Sequence, residues 1–443
     1  VPRPTTQTIE IVDLDDEGRG VGRDADTAVH VAGALPGDLA CVSIEHRSPH
    51  EPVAWARLVS LERPSAKRVP GVCPATGRCG GCALGAYDYD AQLAWKEARL
   101  GSALTGLGAT PLPIVRSSPH TRYRNSAKLV YGRPRPDAAP CLGGYAARSH
   151  RLVDLAGCRV LEAPLDEVRA AVLAVLLASD VAPYDEQTRA GLLSYVALRD
   201  NARGEVLVTL VGVDLAAVKP LGAAVAAAHP GIVGVCANLR PSGNAIFGAD
   251  TRVLEGRGEL EEDIGPARLF LSPTAFFQVN RGVATRLYGD LADAVLARTP
   301  RNVVDVYAGV GGIALTLAAR GCAHIVGIEV HEQAVRDAAR AASSMKLPVR
   351  FVAADAAVGL AAEARPIDAV VVNPPRRGLD EAMRASLAEA RPRVLAYVSC
   401  DPSSLARDLA ALVTQGMRIE SVRAYDMHPH TPHIEALAIL TRA

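Results

Sequence analysis

The sequence has no uninterrupted apolar run of the ~18 residues that a membrane helix needs, which argues against a helical membrane span. No apolar leader follows Val1-Pro-Arg-Pro, and nine cysteines are scattered over 443 residues, which leads us to expect a reducing cytosol rather than a disulfide framework. Lysine is scarce, standing only at positions 67, 96, 128, 219 and 346, and we read the excess of arginine as genomic base composition. Net charge is zero, so the chain as a whole points to no partner of either sign. Internal repeats are missing, as are low-complexity tracts beyond alanine-rich helices such as 223–229.

What is present is ample apolar material. At 49% apolar, 443 residues allow two to four domains with sizeable cores. Residues 1–62 read as short strands at 8–12, 28–31, 39–44 and 53–61 between Gly-rich or Pro-Gly turns, the pattern of a small OB-like β-barrel. Residues 63–270 form a central α+β region, and 271–443 a catalytic domain.

Charge is uneven across these regions. Residues 1–62 carry five Lys/Arg against eleven Asp/Glu, a difference of minus six, whereas 63–160 carry fifteen against five, a difference of plus ten. The positive footprint expected of an RNA binder therefore lies in the central region, at Arg63, Lys67, Arg68, Arg116, Arg122, Arg124, Lys128, Arg133 and Arg135. Tyr87, Tyr89, Trp95 and Tyr123 interleave with it as candidate stacking groups, although core packing is the commoner fate of such rings.

In the last third, short β-branched runs alternate with helical patterns, which predicts a doubly wound α/β domain with a parallel sheet. One run ends in Asp305 and leads into Tyr307-Ala-Gly309-Val-Gly311-Gly312. The next ends in Glu329, a candidate to hold two ribose hydroxyls. The third leads to Asp355 and the fourth to Asn373-Pro374-Pro375. The turn lacks the third glycine of the pyrophosphate fingerprint and any basic residue for phosphates. A nucleoside cofactor without phosphate, S-adenosylmethionine, fits it better than NAD.

Cys400 stands where a strand ends and a helix begins at Asp401-Pro402, a position that projects into the ligand crevice and whose helix N-terminus favours a thiolate. Glu435 opens the last strand pattern and is expected beside it. Nearby His428, His430 and His433 lack helical spacing and read as a turn rather than a metal site. Carbon 5 of uracil is a poor nucleophile until something adds at carbon 6. A thiol that adds there, a methyl donor and a carboxylate that removes the carbon 5 proton make a complete set for its methylation.

The chain resembles the RNA uracil-C5 methyltransferase family, the TrmA, RumA and RlmD type that makes 5-methyluridine in tRNA or 23S ribosomal RNA. The matching segments are Ser272-Pro-Thr-Ala-Phe276-Phe277-Gln278-Val279-Asn280, Asp305-Val-Tyr307-Ala-Gly309-Val-Gly311, Asn373-Pro374-Pro375-Arg376-Arg377-Gly378, Tyr397-Val-Ser399-Cys400-Asp401-Pro402 and His433-Ile434-Glu435. The resemblance implies a Rossmann-like class I methyltransferase domain and an N-terminal TRAM domain. It implies Cys400 as nucleophile and Glu435 as proton acceptor, with Gln278, Tyr307, Gly309, Gly311, Gly312, Glu329, Asp355 and Asn373 around S-adenosylmethionine. Asn373 stands where many members have Asp, and an amide cannot act as a base. Asn-Pro-Pro-Arg-Arg-Gly and Tyr123-Arg124-Asn125-Ser126-Ala127-Lys128 look like the RlmC branch, which implies 23S ribosomal RNA as substrate, with tRNA as the alternative.

Cys73, Cys79, Cys82 and Cys158 are candidate ligands whose spacing leaves zinc and an iron–sulfur cluster both open, zinc slightly ahead. The x5 interval between the first two is not that of radical S-adenosylmethionine enzymes, and the resemblance implies a [4Fe-4S] cluster. Cys41, Cys141, Cys236 and Cys322 read as buried hydrophobes.

Two other functions are compatible with parts of the pattern. An amino-methyltransferase also uses Asn-Pro-Pro, but it needs an aromatic residue where Arg376 stands and would leave Cys400 without a task. A non-catalytic RNA-binding assembly factor would not need Cys400 and Glu435. The expected partner is RNA, with no membrane, and the expected state a monomer.

Overall fold

The computed structural model describes residues 6–243 and 245–442; residues 1–5, including Arg3 and the start of the expected barrel, Asn244 and Ala443 lie outside the described residues. The period-two pattern of the N-terminal segment becomes β1 (Thr6–Leu14), β2 (Gly20–Asp24), β3 (Thr27–Ala32), β4 (Leu39–Arg47) and β5 (Val53–Arg63), a closed barrel in the order β1-β2-β3-β5-β4. Alternate residues such as Ile9, Ile11, Val29, Val31 and Val42 fill its interior. Strand β2 was not expected, because its glycines hide the apolar pattern. Gly22 is needed there: a Cβ would lie 2.5 Å from the Glu10 carbonyl oxygen.

The chain packs as two compact units, one comprising residues 1–96, 144–159 and 428–432 and the other 97–143, 160–427 and 433–443. The expected divisions at 62/63 and 270/271 are not the divisions between these units. The first unit contains the barrel, the cysteine loop 73–82, the start of α1 (Tyr89–Ala103) and the segment 428–432. Here buried Gln92 accepts the His430 N–H at 2.9 Å and donates to the Tyr87 carbonyl at 2.7 Å, so His430 pins a turn. Tyr87 is itself buried, as is Tyr123 in the other unit, so neither presents a face for stacking.

After β6 (Leu112–Val115) the second unit builds its first sheet from β7 (Ser126–Gly132), β8 (Cys141–Tyr145), β10 (Leu193–Asp200), β11 (Val206–Gly212), β12 (Ile232–Leu239) and β13 (Thr251–Gly256), in the order β13-β12-β11-β10-β7-β8; the short β9 (Leu152–Asp154) belongs to the first unit. Helix α2 (Ala163–Leu177) packs on β10, while α3 (Leu215–Val218) and α4 (Leu221–Ala227) pack on β12.

A hairpin, β14 (Leu260–Ile264) and β15 (Ala267–Leu271), leads through 272–280 into α5 (Arg281–Leu296). The second sheet then alternates β16 (Asn302–Val306), α6 (Gly312–Ala319), β17 (His324–Glu329), α7 (Glu332–Ser344), β18 (Val349–Ala353), α8 (Ala356–Ala362), β19 (Ala369–Val372), α9 (Glu381–Ala390), β20 (Val394–Ser399), α10 (Pro402–Thr414), β21 (Met417–Tyr425) and β22 (Glu435–Arg442). Its order is β18-β17-β16-β19-β20-β22-β21-β6. Every residue of β19 and β20 is buried, as strands covered on both faces require. Each such Val or Leu contributes roughly 1.5–3 kcal/mol by burial.

The sheet is not wholly parallel, as the alternation had suggested. The five strands from β18 to β20 are parallel, but β22 runs antiparallel to both β20 and β21, and β6 adds to the outer edge. A single reversal puts the start of β22 at the same edge as the carboxyl ends of the parallel strands.

Candidate active site

Ser399, the last residue of β20, pairs with Ala436 of β22, so Cys400 and Glu435 are the next residue outward on each strand. The register alone brings the thiol and the carboxyl together at the open edge, within the ~5 Å of a cross-strand pair. Asp401 caps α10 by accepting the Ser404 N–H at 2.7 Å, and Pro402 occupies the first turn, where its missing N–H costs nothing.

The electrostatics differ from the sequence expectation. Burial pushes the Cys400 thiol above its ordinary value, and the Glu435 carboxylate pushes it further; Arg376 opposes both without cancelling them. A helix N-terminus next to Cys400 is therefore not enough to make it a resting thiolate. Glu435, 4% exposed, has its carboxyl pushed up to about 7 by burial, again opposed by Arg376. Arg376 is thus the cation common to both groups. The sequence reading noted only that it was not aromatic, although its place directly after Asn373-Pro374-Pro375 was a usable signal.

The glycine turn after β16 is held from β17. Glu329 Oε2 accepts the Gly309 N–H at 3.0 Å and Oε1 accepts the His331 N–H at 2.9 Å. The carboxylate so fixed keeps lone pairs for ribose hydroxyls. Gly311 caps α6 at φ 84°, and a Cβ there would lie 2.6 Å from the Phe351 ring. Tyr307 takes the left-handed conformation at φ 63° without being glycine, a strained geometry of the kind stored at ligand sites. Burial raises its hydroxyl to about 12, with Asp380 and Asp355 adding to the shift, so these groups adjoin. Asp355 itself caps α8 through the Ala357 and Val358 N–H groups.

Gln278 is buried, and its carbonyl accepts Asn125 Nδ2 at 3.0 Å. Among the described residues no hydrogen bond joins it to Glu329 or the glycine turn, whereas Phe276 beside it is 72% exposed. Asn373 directly follows β19 and donates its N–H to the Val306 carbonyl at 3.4 Å, between the glycine turn and Cys400 in sheet order.

The sequence named Asp305 only as the acid that ends its strand, and it singled out neither Tyr288 nor Asp408. Asp305 is buried, pushed up to about 7 by burial, with Oδ2 on the Ala314 N–H at 3.0 Å and Oδ1 without a partner. Tyr288, from α5, packs its ring where a Gly312 side chain would stand and is raised by burial and by the charges of Asp305 and Glu435. Asp408, fully buried, accepts the Leu379 N–H and the Tyr397 hydroxyl, both at 2.7 Å, and pairs with Arg384 and Arg407. Arg407 in turn donates to the Arg377 carbonyl, so Asp408 anchors the loop that carries Arg376.

Several proteins are similar to this chain. Residues 357–443 match the family described as tRNA (Uracil-5-)-methyltransferase, and 276–394 match the methyltransferase small domain. The chain is 35% identical to an RNA methyltransferase of Thermosynechococcus vestitus over 98% of both proteins, and 34% identical to one of Gloeobacter violaceus over 99% of this chain and 97% of that one. It superposes with a TM-score of 0.80 on the Pyrococcus abyssi tRNA (uracil-54, C5)-methyltransferase solved with S-adenosyl-L-homocysteine, at 25% identity over 98% of this chain and 99% of that one. The chain belongs to the RNA uracil-C5 methyltransferase family. It is a methyltransferase with the class I fold, and the barrel precedes that domain as expected.

In the first unit of this uracil methyltransferase, burial raises the Cys79 thiol, the Gly81 N–H at 3.3 Å opposes the shift, and Cys158 and Cys73 add to it. Cys73 and Cys79 pack against Ala75, Ala146 and Val153. Three of the four expected ligands thus act on one another. Among the described residues, however, no three His, Cys, Asp or Glu side chains are gathered in a metal-binding arrangement, so the four-ligand site expected from Cys73, Cys79, Cys82 and Cys158 is not assembled here. Cys141, Cys236 and Cys322 are buried, and Cys41 is only half-buried.

Proposed function

We propose that this enzyme methylates carbon 5 of a uridine in 23S ribosomal RNA, with Cys400 as nucleophile and Glu435 as proton acceptor. The observation that carries the reading is the β20–β22 register, which puts these two groups side by side with Arg376 acting on both. S-adenosylmethionine supplies the electrophilic methyl group when bound, and Gly309, Gly311, Gly312, Tyr307, Glu329 and Asp355 form the cradle for it.

The target uridine has to leave its stack to reach the strand edge. Cys400 thiolate then adds at carbon 6, which makes carbon 5 nucleophilic. Once carbon 5 is methylated, Glu435 takes its proton and the carbon–sulfur bond breaks, returning the thiolate. The net proton of each turnover is left on Glu435. Arg376 favours the charged forms of both groups, and Asn373 can hydrogen-bond the uracil edge but removes no proton.

The 23S reading rests on the Asn373-to-Gly378 and Tyr123-to-Lys128 segments. A second reading, tRNA, is favoured by the similarity to the archaeal tRNA enzyme. We also infer that the barrel is a TRAM domain and that Cys73, Cys79, Cys82 and Cys158 hold a [4Fe-4S] cluster; an all-thiol donor set suits iron and sulfide. Its role would be structural or in RNA binding, since the reaction moves no electrons.

Incubation with S-adenosylmethionine and unmodified 23S ribosomal RNA or tRNA, followed by nuclease digestion and mass spectrometry, tests the reading. One 5-methyluridine in 23S ribosomal RNA supports it, one in tRNA alone shifts the substrate, and methyl on adenine or on no base overturns it. Iron and sulfide analysis of protein purified without oxygen tests the cluster, which a metal-free or zinc-containing product would remove.

A further inference from the structure

In the first sheet of the second unit, Ser126 of β7 pairs with Arg199 of β10, and Lys128 pairs with Ala197. The period of two therefore sets Lys128 and Arg199 diagonally on one face, and Arg124, two residues before Ser126, lies on the same side. Lys128 is the exposed member of the three; partial desolvation where its stem lies against the sheet lowers its ammonium, and Arg199 and Arg124 lower it further. Three cations thus surround one serine.

Like charges in such a position are unfavourable unless an anion balances them. None of the three forms an ion pair among the described residues; Asp200 and Glu262, whose charges reach Arg199, are already bound by Arg281. An ordinary solvated face would spread or pair its charges. Here the side chains are also fixed: Lys128 sits over the Phe247 ring, 5.1 Å from its centroid, and Arg199 donates to the Ala275 carbonyl. That carbonyl precedes Phe276 and Gln278, and Asn125, between Arg124 and Ser126, holds the Gln278 carbonyl. The cations therefore adjoin the loop 275–278, which presents the exposed Phe276 ring.

We infer that Arg124, Lys128 and Arg199 form a binding site for a backbone phosphate of the RNA substrate near the target uridine. This rests on the function proposed above. The guanidinium groups supply planar pairs of donors to phosphate oxygens, and Lys128 a compact charge at the accessible end. Because the site reads backbone and not base, it contributes affinity and register without sequence preference.

The test is the salt dependence of RNA binding, measured with unmodified 23S ribosomal RNA and tRNA on full-length protein. Lys128→Met should lower affinity about tenfold and reduce the slope of log affinity against log salt by about 1. S-adenosylhomocysteine affinity should not change, Tm should stay level or rise as repulsion is relieved, and Lys128→Arg should restore binding. An unchanged slope and affinity overturns the site, as does a parallel loss of S-adenosylhomocysteine binding, which would mean a local collapse. A wild type that binds with the expected slope but forms no 5-methyluridine overturns the function and not the phosphate site.

Discussion

Cys400 and Glu435 are cross-strand neighbours at the open edge of the sheet, although 35 positions separate their numbers, because β22 returns antiparallel beside β20. The proximity couples them: ionised Glu435 makes the thiol harder to ionise, and Arg376 opposes this for both. Cys400→Ala should abolish methylation while leaving RNA binding intact. Glu435→Gln should instead accumulate a covalent RNA adduct that survives denaturing electrophoresis, since addition and methyl transfer precede proton removal; normal turnover would assign the base elsewhere.

The same carboxyl sets a pH dependence of rate. Single-turnover release of 5-methyluridine product should rise with pH through about 7 as Glu435 ionises, and continue to rise above that as the raised Cys400 thiol ionises. Rates measured between pH 6 and 9 check this, and a rate independent of pH would contradict both assignments.

Stability should move in the opposite direction. The folded Glu435 carboxyl lies at about 7 against 4.5 ordinarily, so between these values the native state holds a proton that the unfolded chain has released. The contribution of this group to stability therefore falls as pH rises through that window. Glu435→Gln should gain up to roughly 3 kcal/mol relative to the parent at pH 8 and little near pH 4, read by chemical denaturation.

Asp408 touches no proposed substrate atom but fixes the loop that carries Arg376. Asp408→Ala would leave the buried Leu379 N–H and Tyr397 hydroxyl without their acceptor and release Arg384 and Arg407, which are partly exposed, a loss of roughly 2–4 kcal/mol. Asp408→Asn, which keeps an acceptor, should cost less and raise the KM for RNA more than it lowers kcat. Denaturation and steady-state kinetics on the two variants separate positioning from fold.

Gly311→Ala places a Cβ 2.6 Å from Phe351 in a residue at φ 84°. Strain at such a position costs about 1–3 kcal/mol, and the helix N-terminus facing the nucleoside should shift. We expect a lowered Tm and weaker S-adenosylhomocysteine binding by calorimetry, with RNA affinity retained.

The strand that ends at Cys400 and the glycine turn after Asp305 were legible because local rules place them: a fully apolar run, then Pro402 in the first helical turn, and glycines where φ is positive. The β2 strand was not, since Gly20 and Gly22 carry no apolar signal. The sequence also led to a wholly parallel sheet, as nothing local distinguishes β22 from another parallel strand. Burial of Tyr87 and Tyr123 removed two candidate stacking rings.

The sequence by itself determined which residue types meet which secondary-structure ends, and from them the candidate nucleophile, the candidate proton acceptor and the family, because motifs and periodicities are short-range properties of the chain. Only the tertiary structure decided that Cys400 is held as a thiol, that Arg376 serves both reacting groups, that Asp408 anchors its loop and that Arg124, Lys128 and Arg199 converge. Each of these depends on desolvation and on charges brought together across long sequence separations, which no local pattern records.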